Sequence, residues 1–378
     1  MILKNEKCKI LIFLQDFSEL GGVEVVTNRL INGLIDDYEI TLLSIRNSNE
    51  VCNVNYPTEV NKHIISFQSD DDFNIKLNKF LLDNNFKFAI NQVQNLRISA
   101  ILSHLLQEKK IKSFSILHNS PYLYKYGVRD VNNNFIYFLK KIKRRTIGWF
   151  SNKKYLNIIL KNSTKFVCIS ENCYSEFYKL GFKMDKVIMI YNPFDPSFVD
   201  HRIDNKKENV FVYAGRFSPE KNLLELLNVW NELESKTKNW ELVLIGDGSE
   251  KYRLLDFVEN KNLYNVKILN KSNDIRDIIS KSKVAILNSS TEGLPTFLIE
   301  AGVYRNVLFG KISFGGTQDI ILENINGYIY KNKIHLKNMI ESYIENEDNF
   351  PKVTNLKVYE KFFEKEIIKK WKDLLKEL

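Results

Sequence analysis

Residues 210–233 read VFVYAGRFSPEKNLLELLNVWNEL. The apolar run 210–214 predicts a buried strand, and Gly215 permits a sharp exit from it. Residues 218–220, SPE, are typical of a helix start, and from Leu223 onward the apolar positions recur with helical spacing. A strand, a short turn and a helix in this order form the repeating unit of a parallel sheet.

The same alternation of strand and helix patterns runs along the whole chain. Strand candidates are residues 9–13, 40–44, 86–90, 113–117, 165–169, 210–214, 241–245, 266–269, 284–287, 306–309 and 327–330. The series pauses at residues 192–208, where two prolines and a charged stretch are typical of a linker. The sequence therefore predicts an α/β fold with two Rossmann-like domains, residues 1–191 and 192–354, and a ligand cleft between them.

The C-terminal segment has a different pattern. Residues 355–378 predict one long amphipathic helix. Its apolar side chains lie on or near one face: Tyr359, Phe362, Phe363, Ile367 and Trp371.

The composition limits the functions that the chain can have. Its 378 residues carry 55 Lys and Arg against 46 Asp and Glu, a net charge of +9 that suits an anionic partner. No nucleic-acid motif accompanies this charge, which leaves lipid surfaces and phosphate-bearing small molecules. The four cysteines lack metal or disulfide spacing, no apolar run reaches 18 residues, and residues 1–14 lack the features of a signal peptide. We therefore expect a cytoplasmic protein.

Two cations follow the strand at 210–214. Arg216 and Lys221 lie near the predicted helix N-terminus, where anions are favoured, so the two could hold a diphosphate. Two solvated side chains would explain the same pattern. Another strand ends before Gly246 and Gly248, in a turn compatible with nucleotide binding and equally with a plain connection.

Residues 291–300, TEGLPTFLIE, hold two carboxylates eight positions apart. Glu292 falls in a loop at the carboxyl end of a strand, and residues 293–296 open the next helix. An acidic neighbour of a helix start would explain Glu292 alone. Glu300 stands among apolar residues, where a buried carboxylate needs partners such as a pair of sugar hydroxyls.

Polar and small residues also follow strands in the first half of the chain. Gly21 and Gly22 come after the first strand, and paired glycines allow a ligand to approach the backbone closely, although a tight turn explains them equally well. His118 ends the strand at 113–117, at the sheet edge where catalytic groups gather. From the sequence, a structural and a functional role for this histidine are evenly balanced.

Residues 135–154, FIYFLKKIKRRTIGWFSNKK, interleave seven basic side chains with five aromatic ones. A basic segment with an aromatic face suits an anionic membrane surface. A solvated helix whose aromatic side chains pack on its own domain is the alternative.

Taken together, these stretches resemble the GT-B glycosyltransferases, and most closely the large retaining family 4, the glycosyl transferases group 1. The resemblance covers nearly the whole chain and rests on the segments GGVE, LHNSP, VCISENCYSEF, KVIMIYNPFD, YAGRFSPEKN, LVLIGDGSE and STEGLPTFLIEA. The two glutamates of the last segment, with GLP after the first of them, are the most specific part because the arginine–lysine and Gly-x-Gly elements precede them in this order.

The resemblance implies a role for each of these positions. Arg216 and Lys221 would hold the diphosphate of a nucleotide-sugar donor, and Glu300 would bind its ribose. Glu292 would meet the donor sugar, and His118 would contact that sugar near its reacting carbon. Further donor contacts would come from Gly215, Gly246, Gly248, Gly293, Leu294, Pro295 and Thr296. Gly21 and Gly22 would lie close to the donor diphosphate or to the acceptor. The last helix would cross back onto the first domain.

The implied reaction is a retaining transfer of a hexose or N-acetylhexosamine from a UDP-linked donor, without a metal ion. The implied acceptor is a surface glycan, a capsule or a lipid-linked glycan at the inner face of the cytoplasmic membrane. Two other functions stay open, a nucleotide-sugar epimerase and a non-catalytic partner subunit of the same fold. The epimerase would need further carboxylates in the first domain, which the sequence does not identify. The intact set of site residues argues against the partner subunit.

Overall fold

The computed structural model of the chain describes residues 7–18, 21–46, 54–92, 94–127, 148–198, 206–270, 275–353 and 355–378. They form two compact units. Unit 1 draws on Met1–Lys125, Leu139–Asp195 and Phe362–Leu378, and unit 2 on Tyr126–Phe138 and Pro196–Lys361. Each unit is built around one sheet whose strands are joined by helices.

The sheet of unit 1 is parallel throughout its described strands. These strands are β1 (Cys8–Asp16), β2 (Tyr38–Arg46), β3 (Asn61–Ile64), β4 (Phe88–Asn91), β5 (Lys112–Leu117), β6 (Lys165–Cys168) and β7 (Val187–Met189). They stand in the order β3-β2-β1-β4-β5-β6-β7. Residues Ile10 to Leu14 of β1 are all buried, as expected of a central strand that is covered on both faces.

Side-chain caps set the starts of several helices in unit 1. Its described helices are α1 (Gly22–Leu34), α2 (Asp70–Asp83), α3 (Leu96–Glu108), α4 (Pro121–Tyr126), α5 (Trp149–Asn162) and α6 (Glu171–Lys179). The side chains of Ser69, Asn95 and Ser170 accept hydrogen bonds from backbone N–H groups in the first turns of α2, α3 and α6. These caps satisfy donors that a helix leaves unpaired at its N-terminus.

The sheet of unit 2 is also parallel. Its strands are β8 (Glu208–Ala214), β9 (Glu241–Ile245), β10 (Val266–Leu269), β11 (Ser282–Leu287), β12 (Val307–Lys311) and β13 (Gly327–Tyr330). Its described helices are α7 (Leu223–Glu232), α8 (Lys251–Asn260), α9 (Ile275–Lys281), α10 (Thr296–Val303), α11 (Thr317–Ile320) and α12 (Lys333–Glu345). The strand order β10-β9-β8-β11-β12-β13 is that of a dinucleotide-binding fold.

In both sheets the strand order reverses at the first strand of the unit, between β1 and β4 and between β8 and β11. Open parallel sheets bind ligands at such a point, beyond the carboxyl ends of the strands. The loops that follow β1, β5, β8, β9 and β11, with the helix that begins at Thr296, carry the site residues predicted from the sequence. The two-domain α/β prediction is thus confirmed, and each sheet edge defines where a ligand is to be sought.

The prediction of one uninterrupted helix over residues 355–378 is wrong. Leu356–Phe362 form a 3₁₀ helix, and the α-helix, α13 (Glu364–Glu377), begins only after Phe363. The N–H of Phe194 donates to the Phe362 carbonyl at 2.8 Å, and the N–H of Glu364 donates to the Phe194 carbonyl at 2.7 Å. Phe363 is extended because its backbone pairs with that of Phe194. A helical sequence pattern does not reveal this pairing.

Helix α13 packs on unit 1 through one apolar face. Ile367, Ile368, Trp371 and Leu375 are buried, and the Trp371 ring meets the edge of Phe114 at a centroid distance of 5.7 Å. On the rim of this face, Lys372 Nζ lies 2.8 Å from a carboxylate oxygen of Asp37. This hydrogen bond lowers the pKa of Asp37.

Replacing Trp371 by alanine should therefore destabilise unit 1. We expect the free energy of unfolding to fall by about 3–5 kcal/mol, since the change removes a large buried ring and leaves a cavity. The measurement is urea unfolding followed by circular dichroism. Lys372→Ala is the matched control on the same helix, with an expected loss of about 0.2–1 kcal/mol because its ion pair is partly exposed. Equal losses in the two variants would contradict the packing role of Trp371.

Candidate active site

The loop after β11 is tied to the loop after β8 by a buried asparagine. Asn288 is fully buried, and its Nδ2 donates to the Asn222 carbonyl at 2.8 Å and to a Glu225 carboxylate oxygen at 3.2 Å. Its Oδ1 accepts from the Tyr330 hydroxyl at 3.0 Å. The N–H of Ser290 also donates to the Glu220 carbonyl at 2.8 Å. These bonds hold the two loops side by side.

This arrangement brings Lys221 and Glu292 together. Lys221 Nζ lies 2.6 Å from Glu292 Oε1, and the two side chains are only 17% and 11% exposed. Each charge therefore compensates the other in a place where an unpaired charge would be strongly unfavourable. Within the described residues no hydrogen bond is formed by Glu292 Oε2.

Gly315 lies against the backbone of Glu292. The Glu292 N–H donates to the Phe314 carbonyl at 2.9 Å, and the Gly316 N–H donates to the Gly293 carbonyl at 2.9 Å. Gly315 has φ +90°, and a Cβ at this position would lie 1.7 Å from the Glu292 carbonyl oxygen. Only glycine fits at position 315, which explains the first of the two glycines in residues 314–317, FGGT.

The loop from Gly293 to Pro295 leads into α10, with Pro295 as the residue that precedes its first turn. In the part of the chain that the structure describes, the N–H groups of Leu294, Thr296 and Phe297 donate to no backbone carbonyl outside the helix. Exposed donors at a helix N-terminus favour an anion. Glu300 follows on α10 and is half-buried between the buried Ile299 and Ala301.

Arg216 differs from Lys221 in exposure. Its side chain is exposed, and among the described residues it forms no ion pair. Its carbonyl accepts the hydroxyl of the buried Tyr213 at 2.9 Å. Burial raises the pKa of Tyr213 well above its usual value, and the nearby Glu292 and Glu220 carboxylates add to this, so the phenol remains a donor. The Arg216 backbone is thus held while its guanidinium remains in solvent.

The glycines after β8 and β9 have a packing role in this structure. A Cβ on Gly246 would lie 1.9 Å from the Gly215 carbonyl oxygen, and one on Gly248 would lie 2.4 Å from the Phe217 carbonyl oxygen. The two loops also share backbone hydrogen bonds, including Phe217 N–H to the Asp247 carbonyl at 2.7 Å. Loop packing alone therefore explains Gly246 and Gly248, and a nucleotide contact at these positions stays a prediction.

In unit 1, Gly21 and Gly22 open α1. Gly21 precedes the first turn in an extended conformation, and its carbonyl accepts from the Val25 N–H at 3.1 Å. A Cβ added to Gly22 would meet no atom within 4 Å. Packing within the described residues therefore does not require glycine at position 22.

His118 is buried at the end of β5, and its Nε2 lies 2.8 Å from Gln92 Oε1. Gln92 Nε2 in turn donates to Thr27 Oγ1 at 2.7 Å, and the Thr27 hydroxyl donates to the Val23 carbonyl at 2.7 Å. Burial lowers the pKa of His118 to about 4. The imidazole is therefore neutral at pH 7. Gln92 and Thr27 were missed in the sequence because they lie in different segments with no shared pattern.

The basic and aromatic segment 135–154 is described only from residue 148 onward; its first part, with five of the seven basic residues, lies outside the described ranges. Trp149 packs edge-on against Phe182 at a centroid distance of 6.2 Å, with Lys153 Nζ 6.0 Å from the Trp149 centroid. Phe150 is 72% exposed. One aromatic residue thus packs on its domain and the next faces solvent.

Within the described ranges, no helix combines the length and the apolar character needed to cross a bilayer. The same residues contain no cluster of three or more His, Cys, Asp or Glu side chains that could hold a metal ion. Metal independence and membrane association both stay predictions.

Two Rossmann-like sheets, each with its polar site residues at the carboxyl ends of the strands, are the architecture of the GT-B glycosyltransferases. The structure of HepE from Anabaena in complex with UDP-glucose has the same fold, with a TM-score of 0.74 at 15% identity over 98% of this chain and 100% of that one.

Sequence comparison finds a family model and several relatives to which the chain is similar. The model of the family described as glycosyl transferases group 1 matches residues 198–361. The amylovoran biosynthesis glycosyltransferase AmsD of Erwinia amylovora is 28% identical over 85% of both chains. An undecaprenol-linked glycan α-1,4-N-acetyl-D-galactosaminyltransferase of Campylobacter jejuni is 30% identical over 49% of this chain and 51% of its own. Residues 198–361 are therefore similar to the glycosyl transferases group 1, and the protein is a glycosyltransferase.

The open space at Gly22 gives a test of ligand approach. Gly22→Ala should leave the melting temperature unchanged or slightly raised, since nothing contacts the new methyl group and alanine favours a helix. We expect kcat/KM for glycosyl transfer to fall about tenfold or more, because the methyl group would occupy space that a ligand needs. Unchanged kinetics would show that Gly22 contacts no substrate.

Proposed function

We propose that the protein is a retaining glycosyltransferase that moves a hexose or N-acetylhexosamine from a UDP-linked donor to a glycan acceptor. The observation that carries this proposal is the Lys221–Glu292 ion pair, buried beside the N–H groups that open α10. A fixed cation, unpaired N–H donors and a carboxylate with one unbonded oxygen are the groups that a sugar diphosphate requires.

The donor diphosphate would lie against Lys221, the exposed Arg216 side chain and the N–H groups of Leu294 and Thr296. Negative charge grows on the diphosphate as the bond to the sugar breaks. Cations and N–H donors that are already in place stabilise this charge more in the transition state than in the ground state. These groups can neutralise the leaving diphosphate without a metal ion, so we propose a metal-independent reaction.

The sugar and ribose would meet the two glutamates. Glu292 Oε1 is taken by Lys221, which leaves Oε2 to accept a hydroxyl of the donor sugar. Glu300, half-buried on α10, would accept from the ribose hydroxyls. On the unit 1 side, we assign His118 to a hydroxyl of the donor sugar.

The transfer itself would proceed by attack on the same face of the sugar that the diphosphate leaves. The bond from C1 to the phosphate oxygen breaks with its electron pair going to the diphosphate, and the acceptor oxygen bonds to C1 through an oxocarbenium-like transition state. The proton of the acceptor hydroxyl passes to the departing phosphate oxygen. Trapping of a glycosyl–enzyme adduct would contradict this route.

For the acceptor, we propose a lipid-linked or surface glycan, as the activities of the Erwinia and Campylobacter relatives suggest. Unit 1 contains a cavity of about 390 Å³ at the carboxyl ends of β1 and β2, lined in part by Arg46 and Arg97. Arg97 also lies 3.2 Å from a carboxylate oxygen of Asp70. The charge and size of this cavity would suit an anionic part of such an acceptor.

Because Lys221 and Glu292 form an ion pair, replacing one or the other should change the affinity for UDP in different ways. This difference tests the donor site. Lys221→Met should weaken UDP binding and lower transfer about 10²–10³-fold, because it removes a cation from the diphosphate. Glu292→Gln should bind UDP as tightly as the wild type or more tightly, since Lys221 no longer has a competing carboxylate, and yet lose transfer. The measurements are UDP binding by calorimetry and transfer from UDP-sugars.

Lys283→Met is the matched control for this test. Lys283 is also largely buried in unit 2 and pairs with Glu347 at 2.6 Å, but it lies away from the loops of the site. UDP binding and sugar transfer by this variant should equal those of the wild type. Weaker UDP binding in Glu292→Gln as well as in Lys221→Met would refute the assignment of the pair. Interconversion of nucleotide-sugars without an acceptor would favour an epimerase, and UDP binding without turnover a partner subunit.

We also propose that the protein works at the inner face of the cytoplasmic membrane, with the region around Phe150 against anionic lipid. Phe150→Ser should weaken binding to vesicles of anionic phospholipid roughly tenfold, because an exposed ring loses its burial in the lipid interface. Tyr252→Ser is the control, since Tyr252 is 85% exposed but belongs to unit 2. Binding should also fall as salt rises. Equal binding to neutral vesicles would remove this proposal.

A further inference from the structure

We propose that Gln92 and Thr27 are positioning residues that hold His118 in one tautomer, so that its Nδ1 accepts a hydrogen bond from a hydroxyl of the sugar substrate. The inference rests on the proposed function for the identity of that substrate. Its structural part, the tautomer, stands on the geometry of unit 1 alone.

The direction of the hydrogen-bond chain is set at its far end. The Val23 carbonyl can only accept, so the Thr27 hydroxyl, 2.7 Å away, must donate to it. The hydroxyl oxygen is then available as an acceptor for Gln92 Nε2, which lies 2.7 Å from it. The amide of Gln92 is thereby oriented with Oε1 toward His118.

An amide oxygen can only accept, which decides the protonation of the imidazole. His118 Nε2 lies 2.8 Å from Gln92 Oε1 and must therefore carry the hydrogen. In a neutral imidazole the other ring nitrogen then has no hydrogen. The hydrogen bonds that begin at the Val23 carbonyl of α1 therefore fix one tautomer of His118, in which Nδ1 is the acceptor.

Burial makes the alternative arrangement unfavourable. Gln92 is 1% exposed, Thr27 is fully buried, and the Gln92 N–H is anchored to the Phe13 carbonyl at 2.9 Å. A flipped amide could donate its NH₂ to a bare Nε2 in the other tautomer, but its oxygen would then lie against the Thr27 oxygen, whose hydrogen points to Val23. Unmatched pairs in a buried place are costly, so the amide stays in the observed orientation.

Nδ1 remains for a ligand. Within the described residues it makes no hydrogen bond, and it is not among the side-chain polar atoms that are both enclosed and unpartnered. His118 as a whole is 7% exposed. A bare ring nitrogen accepts from a hydroxyl and repels a phosphate oxygen, an ether or a carbonyl. The site therefore favours a sugar with a hydroxyl at this point over one that is deoxygenated or alkylated there.

The tautomer can be measured directly on the full-length protein. Long-range ¹H–¹⁵N spectra of histidine-labelled protein distinguish protonated from bare ring nitrogens, and the His118→Gln variant assigns the signal among the five histidines. We expect the wild type to show Nε2–H and bare Nδ1. An Nδ1–H signal would overturn the inference whether or not the protein transfers any sugar, so its failure is distinct from that of the proposed function.

The relay is tested with a matched pair at Thr27. Thr27→Val keeps the shape and removes the hydroxyl, which frees the Gln92 amide to turn; we expect a mixture of tautomers and about a tenfold lower kcat/KM. Thr27→Ser keeps the hydroxyl and should restore both. With one of a series of monodeoxy donors, wild type and Thr27→Val should become equal, because the hydroxyl that Nδ1 binds is missing.

A purely structural role for Thr27 would lower activity equally with every donor and leave the tautomer unchanged, and that result would overturn the proposal. If Thr27→Val fails to fold, the wild-type spectrum still decides the tautomer. The Thr27→Ser variant and the deoxy donors then still decide whether the Nδ1 contact exists.

Discussion

Two opposite charges that are largely enclosed by protein must meet each other, and this constraint organises unit 2. Lys221 and Glu292 stand 71 positions apart in the chain, on loops that follow different strands. Asn288 makes their meeting possible because its buried amide bonds to the backbone of one loop and to Tyr330 on the last strand of the sheet. Gly315 completes the arrangement by letting a third loop lie against the Glu292 carbonyl.

The group of buried polar residues around His118 in unit 1 is uncharged. Three of its buried polar residues, Thr27, Gln92 and His118, form a chain of hydrogen bonds in which Thr27 and Gln92 each donate once and accept once. The low pKa of His118 follows from its burial, because a charged imidazole would lose its hydration there. Unit 2 thus holds a charged pair and unit 1 a neutral imidazole. In our proposal the charged pair meets the donor diphosphate and the imidazole meets a sugar hydroxyl.

Most of the fold was predictable because parallel strands that are buried on both faces are written as apolar runs. The strands that were missed lack such a run. All four residues of β3 are exposed, and β7 has only three residues. The C-terminal helix was predicted too long for another reason, since the pairing of Phe363 with residue 194 is a contact between distant parts of the chain. Helical periodicity reports the local preference of a segment for a helix. It does not report a pairing with a distant segment that overrides this preference.

The candidate site likewise has one part that the sequence determined and another that only the tertiary structure decided. The sequence by itself determined the kinds of groups at the strand ends, that is, cations after β8, a carboxylate before α10 and a histidine after β5, because these types and spacings are local. Only the tertiary structure decided that Lys221 pairs with Glu292, that Gly246 and Gly248 serve loop packing, and that Gln92 turns its oxygen to His118. The physical reason is that charge pairing, close backbone approach and hydrogen-bond direction depend on which groups face each other, and sequence spacing does not specify this.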